Sequence, residues 1–381
     1  MAERRPRRHL TRIILAAAVG LLVPFTPLAV GQAGAASTVC LSGTLAYDHQ
    51  DAESGPAKPV LTQVARNANW ELWGRTSTTG TVRRLAFGIT DSGSGRFNAC
   101  YTASAPLPEA FVRFNSASTS MWRVIKSPGN QAQYTFDSAH RSNVSTGQDL
   151  GTVKVPTTMQ RAWHIVDTLN LLYWKRGNPT SSCWTSHQAD GGCDTLTFVW
   201  DPKRTNAGYW DYQGTNFVIL GTDMPDSEHL ILHEAGHWFQ WQLYSHDFPT
   251  VTGCNPHYIE RSSSTTCAWT EGFADAVAAY TLGDYRYVFE DGSSYSFAND
   301  PTTAGWDRGD TVQGRVGSSL LDLWSAAGPD GGDWNRTITL MAENPSEDFR
   351  EYFTEDRPTA TPPLPTTGAA ADILHRHTID Y

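Results

Sequence analysis

The stretch from Ser227 to Trp241 constrains this chain more than any other. Within it His233, Glu234 and His237 form an H-E-x-x-H pattern. Leu230, Ile231, Ala235, Trp238 and Phe239 recur at helical spacing, and Asp226 or Ser227 can cap the start. Residues four apart lie on one helix face, so His233 and His237 can direct their imidazoles at one point. Glu234 can reach a water held there. Two neutral imidazoles suit Zn2+, and a catalytic zinc needs a third protein ligand plus an open position for water. One zinc per chain is therefore the expected cofactor.

The third ligand is sought downstream. Ala268 to Tyr280 is alanine-rich and helical; Glu271 opens it and Asp275 follows four residues later on the same face. A carboxylate completes a His, His, Glu set, and a carboxylate behind a ligand histidine can fix its tautomer. Glu271 is the best third ligand on this reading. A third histidine in the metzincin spacing would fall at Leu243, which excludes that arrangement. His246 and His257, in the following loop, are read as surface histidines, with an approach to the site or a place as ligand left open for each.

H-E-x-x-H followed on a later helix by E-x-x-x-D resembles the gluzincin metallopeptidases, the thermolysin-like group. The resemblance covers residues 227 to 280. It implies that His233, His237 and Glu271 bind zinc, that Glu234 is the general base, and that Asp275 orients His233. It implies a zincin-like α+β domain in which the strand-like run Asn216 to Gly221 borders a cleft that takes an extended peptide as a further strand. The interval Trp238 to Thr270 is longer than in the best-known members. Such enzymes add a Tyr or His that steadies the tetrahedral oxyanion; Tyr280, Tyr285, Tyr287 and His257 are all open for that role.

Residues 1–36 carry five arginines, then the apolar run Ile13 to Val30, then small residues up to Ala36. This is the pattern of a secretory signal peptide cleaved after Ala35 or Ala36. Five arginines against one glutamate make the segment +4, so the remainder changes from the whole-chain −10 to −14. An acidic exported chain is not built to hold phosphate backbones, so no nucleic-acid partner is expected. No later run is apolar enough to span a bilayer, so no membrane contact is expected after cleavage. The expected location is extracellular. The six cysteines fit an oxidising compartment, and neighbours in sequence suggest Cys40–Cys100, Cys183–Cys193 and Cys254–Cys267.

The fold class expected is two-domain: an N-terminal all-β sandwich, then the α+β catalytic domain. Residues 37–126 hold short strand-like runs with turn clusters and no helical period. Gly88 to Phe97, with Trp70 to Trp73 before it, resembles transthyretin-like accessory domains, which carry T-D-x-x-G-x-F between two strands; here one extra residue sits in the turn. That sandwich either contacts an extracellular surface or glycan or only shields the catalytic domain. Residues 127–155 are polar and read as a boundary, 156–356 as the metallopeptidase domain, and 357–381 as a Pro/Thr-rich extended tail. In the helix after Thr157, His164 lies off the apolar stripe and is read as solvated or hydrogen-bonded. The expected reaction is peptide-bond hydrolysis on a peptide or protein substrate. The rivals are a polymer-binding protein using its 14 tryptophans around a non-catalytic zinc, and a zinc hydrolase of a non-peptide amide or ester.

Overall fold

The computed structural model describes residues 36–177, 180–188 and 192–381. The signal-peptide expectation for residues 1–36 lies outside these, Ala36 excepted. Six strands come first: β1 (Ser37–Gln50), β2 (Val60–Val64), β3 (Asn69–Arg75), β4 (Arg83–Ile89), β5 (Arg96–Ala103) and β6 (Leu107–Asn115). Val39, Leu41, Leu45 and Tyr47 alternate along β1 and are buried, as a strand with one core face requires. The first half of β1 pairs antiparallel with β5 and the second with β2. Cys40 lies opposite Cys100 in that ladder and is bonded to it. In the second sheet β3 lies between β4 and β6, and Phe97 of one sheet meets Phe114 of the other at 5.1 Å.

The next strands are short: β7 (Ala117–Ser118), β8 (Trp122–Ile125), β9 (Thr135–Asp137), β10 (Arg141–Val144) and β11 (Gln148–Lys154). β9 and β10 pair with β6, and β11 runs parallel to β1. Residues 127–155 therefore supply three strands where a boundary was expected. Their side chains are mostly exposed, so they carry no apolar alternation. β7 and β8 leave these sheets for a third one.

That third sheet adds β12 (Leu196–Asp201), β13 (Tyr209–Trp210) and β14 (Val218–Gly221), in the order β13-β14-β12-β8-β7. β14, β12 and β8 are parallel, and β13 is antiparallel to β14. Leu196, Phe198 and Trp200 face the main core, while Val199 packs with Ile125 and Ile219 on the other side. The edge strand is β13. The run Asn216 to Gly221, expected at that edge, forms interior strand β14. A two-residue strand has no alternation to read.

Helices cover the sheet: α1 (Gln160–Lys175), α2 (Glu228–Leu243) and α3 (Thr265–Leu282). The hairpin β15 (Arg286–Val288) and β16 (Ser294–Ser296) follows, then α4 (Gln313–Trp324), α5 (Asn335–Glu343), α6 (Phe349–Glu351) and α7 (Ala369–Arg376). On α1, His164 is fully buried, with Nδ1 2.6 Å from the Pro225 carbonyl and its ring 4.1 Å from that of His49 on β1. The tail is not extended. Leu364, Ile373, Leu374 and Ile379 are buried, and Arg357 pairs with Asp330 at 2.6 Å with both side chains fully enclosed. These apolar anchors are too widely spaced among Pro and Thr to make a periodic signal.

A β-rich N-terminal region is thus followed by an α+β C-terminal region, and one hydrophobic core runs through both. Polar contacts join them as well. Arg66 pairs with Asp167 of α1 at 2.7 Å, and Lys58 reaches Asp226 at 3.1 Å. Glu53, in the turn after β1, accepts from the backbone N–H groups of Glu228 and His229 at 2.7 and 3.1 Å. Those are the first donors of α2, which have no partner within the helix itself.

Candidate metal centre

α2 begins where the sequence suggests. Ser227 is its cap and accepts from the N–H of Leu230, while Ser264 caps α3 by accepting from Cys267. The two helices cross closely because Gly236 faces Ala274. A Cβ on Gly236 would sit 3.0 Å from the Ala274 Cα. This crossing brings the H-E-x-x-H face of α2 against the middle of α3, where Glu271 and Asp275 stand.

There three atoms converge. His233 Nε2 and His237 Nε2 are 3.2 Å apart, and Glu271 Oε2 is 3.1 and 3.3 Å from them. Asp275, fully buried, takes the other side of His233 at Nδ1, 2.8 Å away. With Nδ1–H donated to Asp275, His233 presents a lone pair at Nε2. Two imidazoles and a carboxylate converging at this distance suit a shared cation, whether a proton or a metal ion. Without a metal a proton competes for the same position. Burial acts to lower the basicity of His233, yet Asp275 and Glu271 hold its pKa well above the usual value. Burial would raise that of Glu271, but the two imidazoles hold it well below the usual carboxylate range. Tetrahedral zinc with ligand bonds near 2.0–2.1 Å separates its donors by about 3.3 Å, so this nitrogen and oxygen set fits.

Glu234, beside His233, is 6% exposed, and burial raises its pKa, only partly opposed by the neighbouring imidazoles. It lines a cleft of about 640 Å3 with His233, His237 and Glu271. Tyr209 and Trp210 of β13 and the nearby Tyr212 also line it, with Phe248 against the last two. Of the four residues open for a further role, Tyr287 and His257 line the cleft. Tyr280 instead packs on Trp324 and Trp334, and Tyr285 lies outside the cleft lining. Burial, with Asp275, Glu234 and Glu271 nearby, raises the Tyr287 phenol well above its ordinary pKa.

His257, expected at the surface, is a third exposed but belongs to the cleft, with Nδ1 3.8 Å from Glu271 Oε2. His246 stacks on Trp241 and contacts Asp194 at 3.1 Å, away from the three converging atoms. Cys254 and Cys267 sit close to His257, but they are bonded to each other, as are Cys183 and Cys193, so those sulfurs are not free donors. Gln313, at the start of α4, was not anticipated. It bonds both His257 and Asp275, and no motif or period in the sequence marks it.

Comparison with known proteins gives two family matches. The model of the mycolysin middle domain matches residues 40–162, and that of the mycolysin C-terminal domain matches residues 177–378. No curated protein matches significantly. Among solved structures, a 9R-lipoxygenase from Cyanothece PCC8801 matches at 15% identity over 65% of this chain, with a TM-score of 0.20. This chain spans 25% of that one, and so loose a superposition carries no argument. The C-terminal domain model covers more than half of the 381 residues, and its match contains all three converging side chains. The chain belongs to the mycolysin family, which points to a peptidase-type function.

Proposed function

We propose that the protein is a secreted zinc metallopeptidase of the gluzincin kind, with a zincin-like catalytic region. The observation that carries this reading is the convergence of His233 Nε2, His237 Nε2 and Glu271 Oε2 within 3.1 to 3.3 Å, backed by Asp275. These three side chains hold the metal and Asp275 orients His233. Zinc supplies a Lewis acid that polarises a substrate carbonyl and lowers the pKa of water to about 7. Glu234 takes the proton from the attacking water and passes it to the leaving amine. Its burial suits this exchange, since it raises the carboxylate's pKa and so strengthens its hold on the proton it takes and passes on. Backbone groups of β13, the antiparallel sheet edge beside the cleft, are available to pair with an extended substrate. Three disulfides fit an extracellular setting, and among the described residues no helix is long and apolar enough to cross a membrane.

The test uses the mature chain loaded with zinc, beside Glu234→Gln. Both are incubated with a diverse peptide mixture, and new termini are read by mass spectrometry. Cuts made only by the parent support the reading, and equal cutting by both removes Glu234 as the base. No cutting by a parent that holds one zinc transfers the site to a non-peptide bond or to binding.

A further inference from the structure

Gln313 bonds to two arms of the site at once. It is 3% exposed, and it stands at the first position of α4 with no capping side chain ahead of it. Its Oε1 lies 2.8 Å from His257 Nδ1, and its Nε2 lies 3.1 Å from Asp275 Oδ2. The other oxygen of Asp275 receives His233 Nδ1–H. His257 comes from the disulfide-closed loop before α3, Asp275 from α3, and His233 from α2.

The direction of every bond in this chain follows from donor chemistry. A carboxylate accepts, so Asp275 requires the amide nitrogen of Gln313 on its side. That leaves the amide oxygen for His257, and an amide oxygen only accepts. The proton between Gln313 and His257 therefore belongs to the histidine, on Nδ1. A neutral imidazole with its proton on Nδ1 has a lone pair at Nε2. Among the described residues nothing bonds that nitrogen, and the ring lines the cleft beside Glu271.

We infer that Gln313 is a positioning residue: it locks His257 in the Nδ1–H tautomer, so that Nε2 accepts a hydrogen bond from a backbone N–H of the bound peptide. His257 then contacts substrate, and Gln313 acts through it. The inference rests on the peptidase reading only for the identity of the donor. The tautomer itself is a property of the chain alone.

The experiment has two readouts. The first is nitrogen-15 NMR of histidine-labelled mature protein, zinc-loaded and in the Glu234→Gln background at mildly alkaline pH, with His257 assigned by its loss in His257→Ala. The Nδ1–H form is expected in the parent. It is expected to be lost in Gln313→Met, which has no acceptor. An Nε2–H or doubly protonated His257 in the parent, or an Nδ1–H form that survives in Gln313→Met, would overturn the inference. The second readout is steady-state kinetics on a peptide, with Glu234 intact. His257→Ala and Gln313→Met should each lower kcat/KM about tenfold through KM, the effect of one substrate hydrogen bond, and the double variant should lose no more. Losses that multiply, or that appear only in kcat, would overturn it. A parent that holds zinc and cuts no peptide would count against the peptidase reading instead, and the NMR result would still decide the role of Gln313.

Discussion

Removing the Glu53 carboxylate tests whether the β-rich region supports the helix that carries His233 and His237. Glu53 Oε1 accepts from two N–H groups in the first turn of α2, at 2.7 and 3.1 Å, and lies 3.2 Å from His229 Nδ1. Hydrogen bonds to a charged group contribute about 1.5–3 kcal/mol each, and a negative charge at a helix start adds about 0.3–1 kcal/mol. Against this, Glu53 Oε2 is buried without a hydrogen-bond partner among the described residues, which costs about 1–3 kcal/mol. The balance for Glu53→Ala is a loss of about 2–4 kcal/mol. Glu53→Gln keeps an acceptor for the helix and loses the charge, so it should fall between parent and Ala, near 1 kcal/mol below the parent. Urea unfolding of the mature chain gives these values, provided free zinc is buffered at one level throughout, because metal bound only by the native state adds its own stability. Glu53→Ala within 0.5 kcal/mol of the parent, on the order of a neutral surface change, would refute the reasoning. So would Glu53→Gln below Glu53→Ala.

Three further outcomes are expected. Gly236→Ala gains up to about 1 kcal/mol of helix propensity but presses a methyl to 3.0 Å from Ala274, and overpacking costs about 1–3 kcal/mol. A modest net loss of stability should accompany weaker zinc retention in competition with a chelator; unchanged retention would show that the helix crossing does not set the donor spacing. Burial, with His164 beside it, holds the pKa of His49 down to about 4 from the ordinary 6.5. The unfolded chain then binds this proton first as pH falls, so stability is full above 6.5 and is lost progressively down to about 4. The loss amounts to about 3 kcal/mol, and in the difference between parent and His49→Leu a constant value across that window would contradict it. Burial acts to lower the His164 pKa, but Glu228 outweighs it and the pKa is raised, so His164 changes stability above its unfolded value and does not overlap this window. Asp330→Ala leaves the enclosed Arg357 charge unpaired and should cost about 3–5 kcal/mol, read by urea unfolding, with new protease cuts in 357–368. An unchanged midpoint and digest would show that the pair does not hold the tail.

What could be read in advance is what repeats along one element. The H-E-x-x-H and E-x-x-x-D spacings are properties of single helices, so the side chains that share each face follow from the helical period alone. The separation between the two helices is set by Gly236 against Ala274, a contact between distant positions that leaves no period. Gln313 and His257 reach the site in the same way, one from a helix start and one from a loop. Tyr209 and Trp210 form an edge too short to show alternation. The packing of the tail leaves no pattern in the sequence because Leu364, Ile373 and Ile379 anchor it singly. The cysteine pairs were legible because each lies close in sequence or bridges paired strands.

The placement of β8 determines how this chain can be divided. Trp122 to Ile125 belongs to the segment matched by the middle-domain model, yet it pairs with β12 from the segment matched by the C-terminal model. A fragment starting after it would leave Leu196 to Trp200, an apolar run, as an unpaired edge open to other chains. Neither matched segment is therefore a portable module. In recombination, whether in a genome or on a bench, the productive joints lie outside the pair.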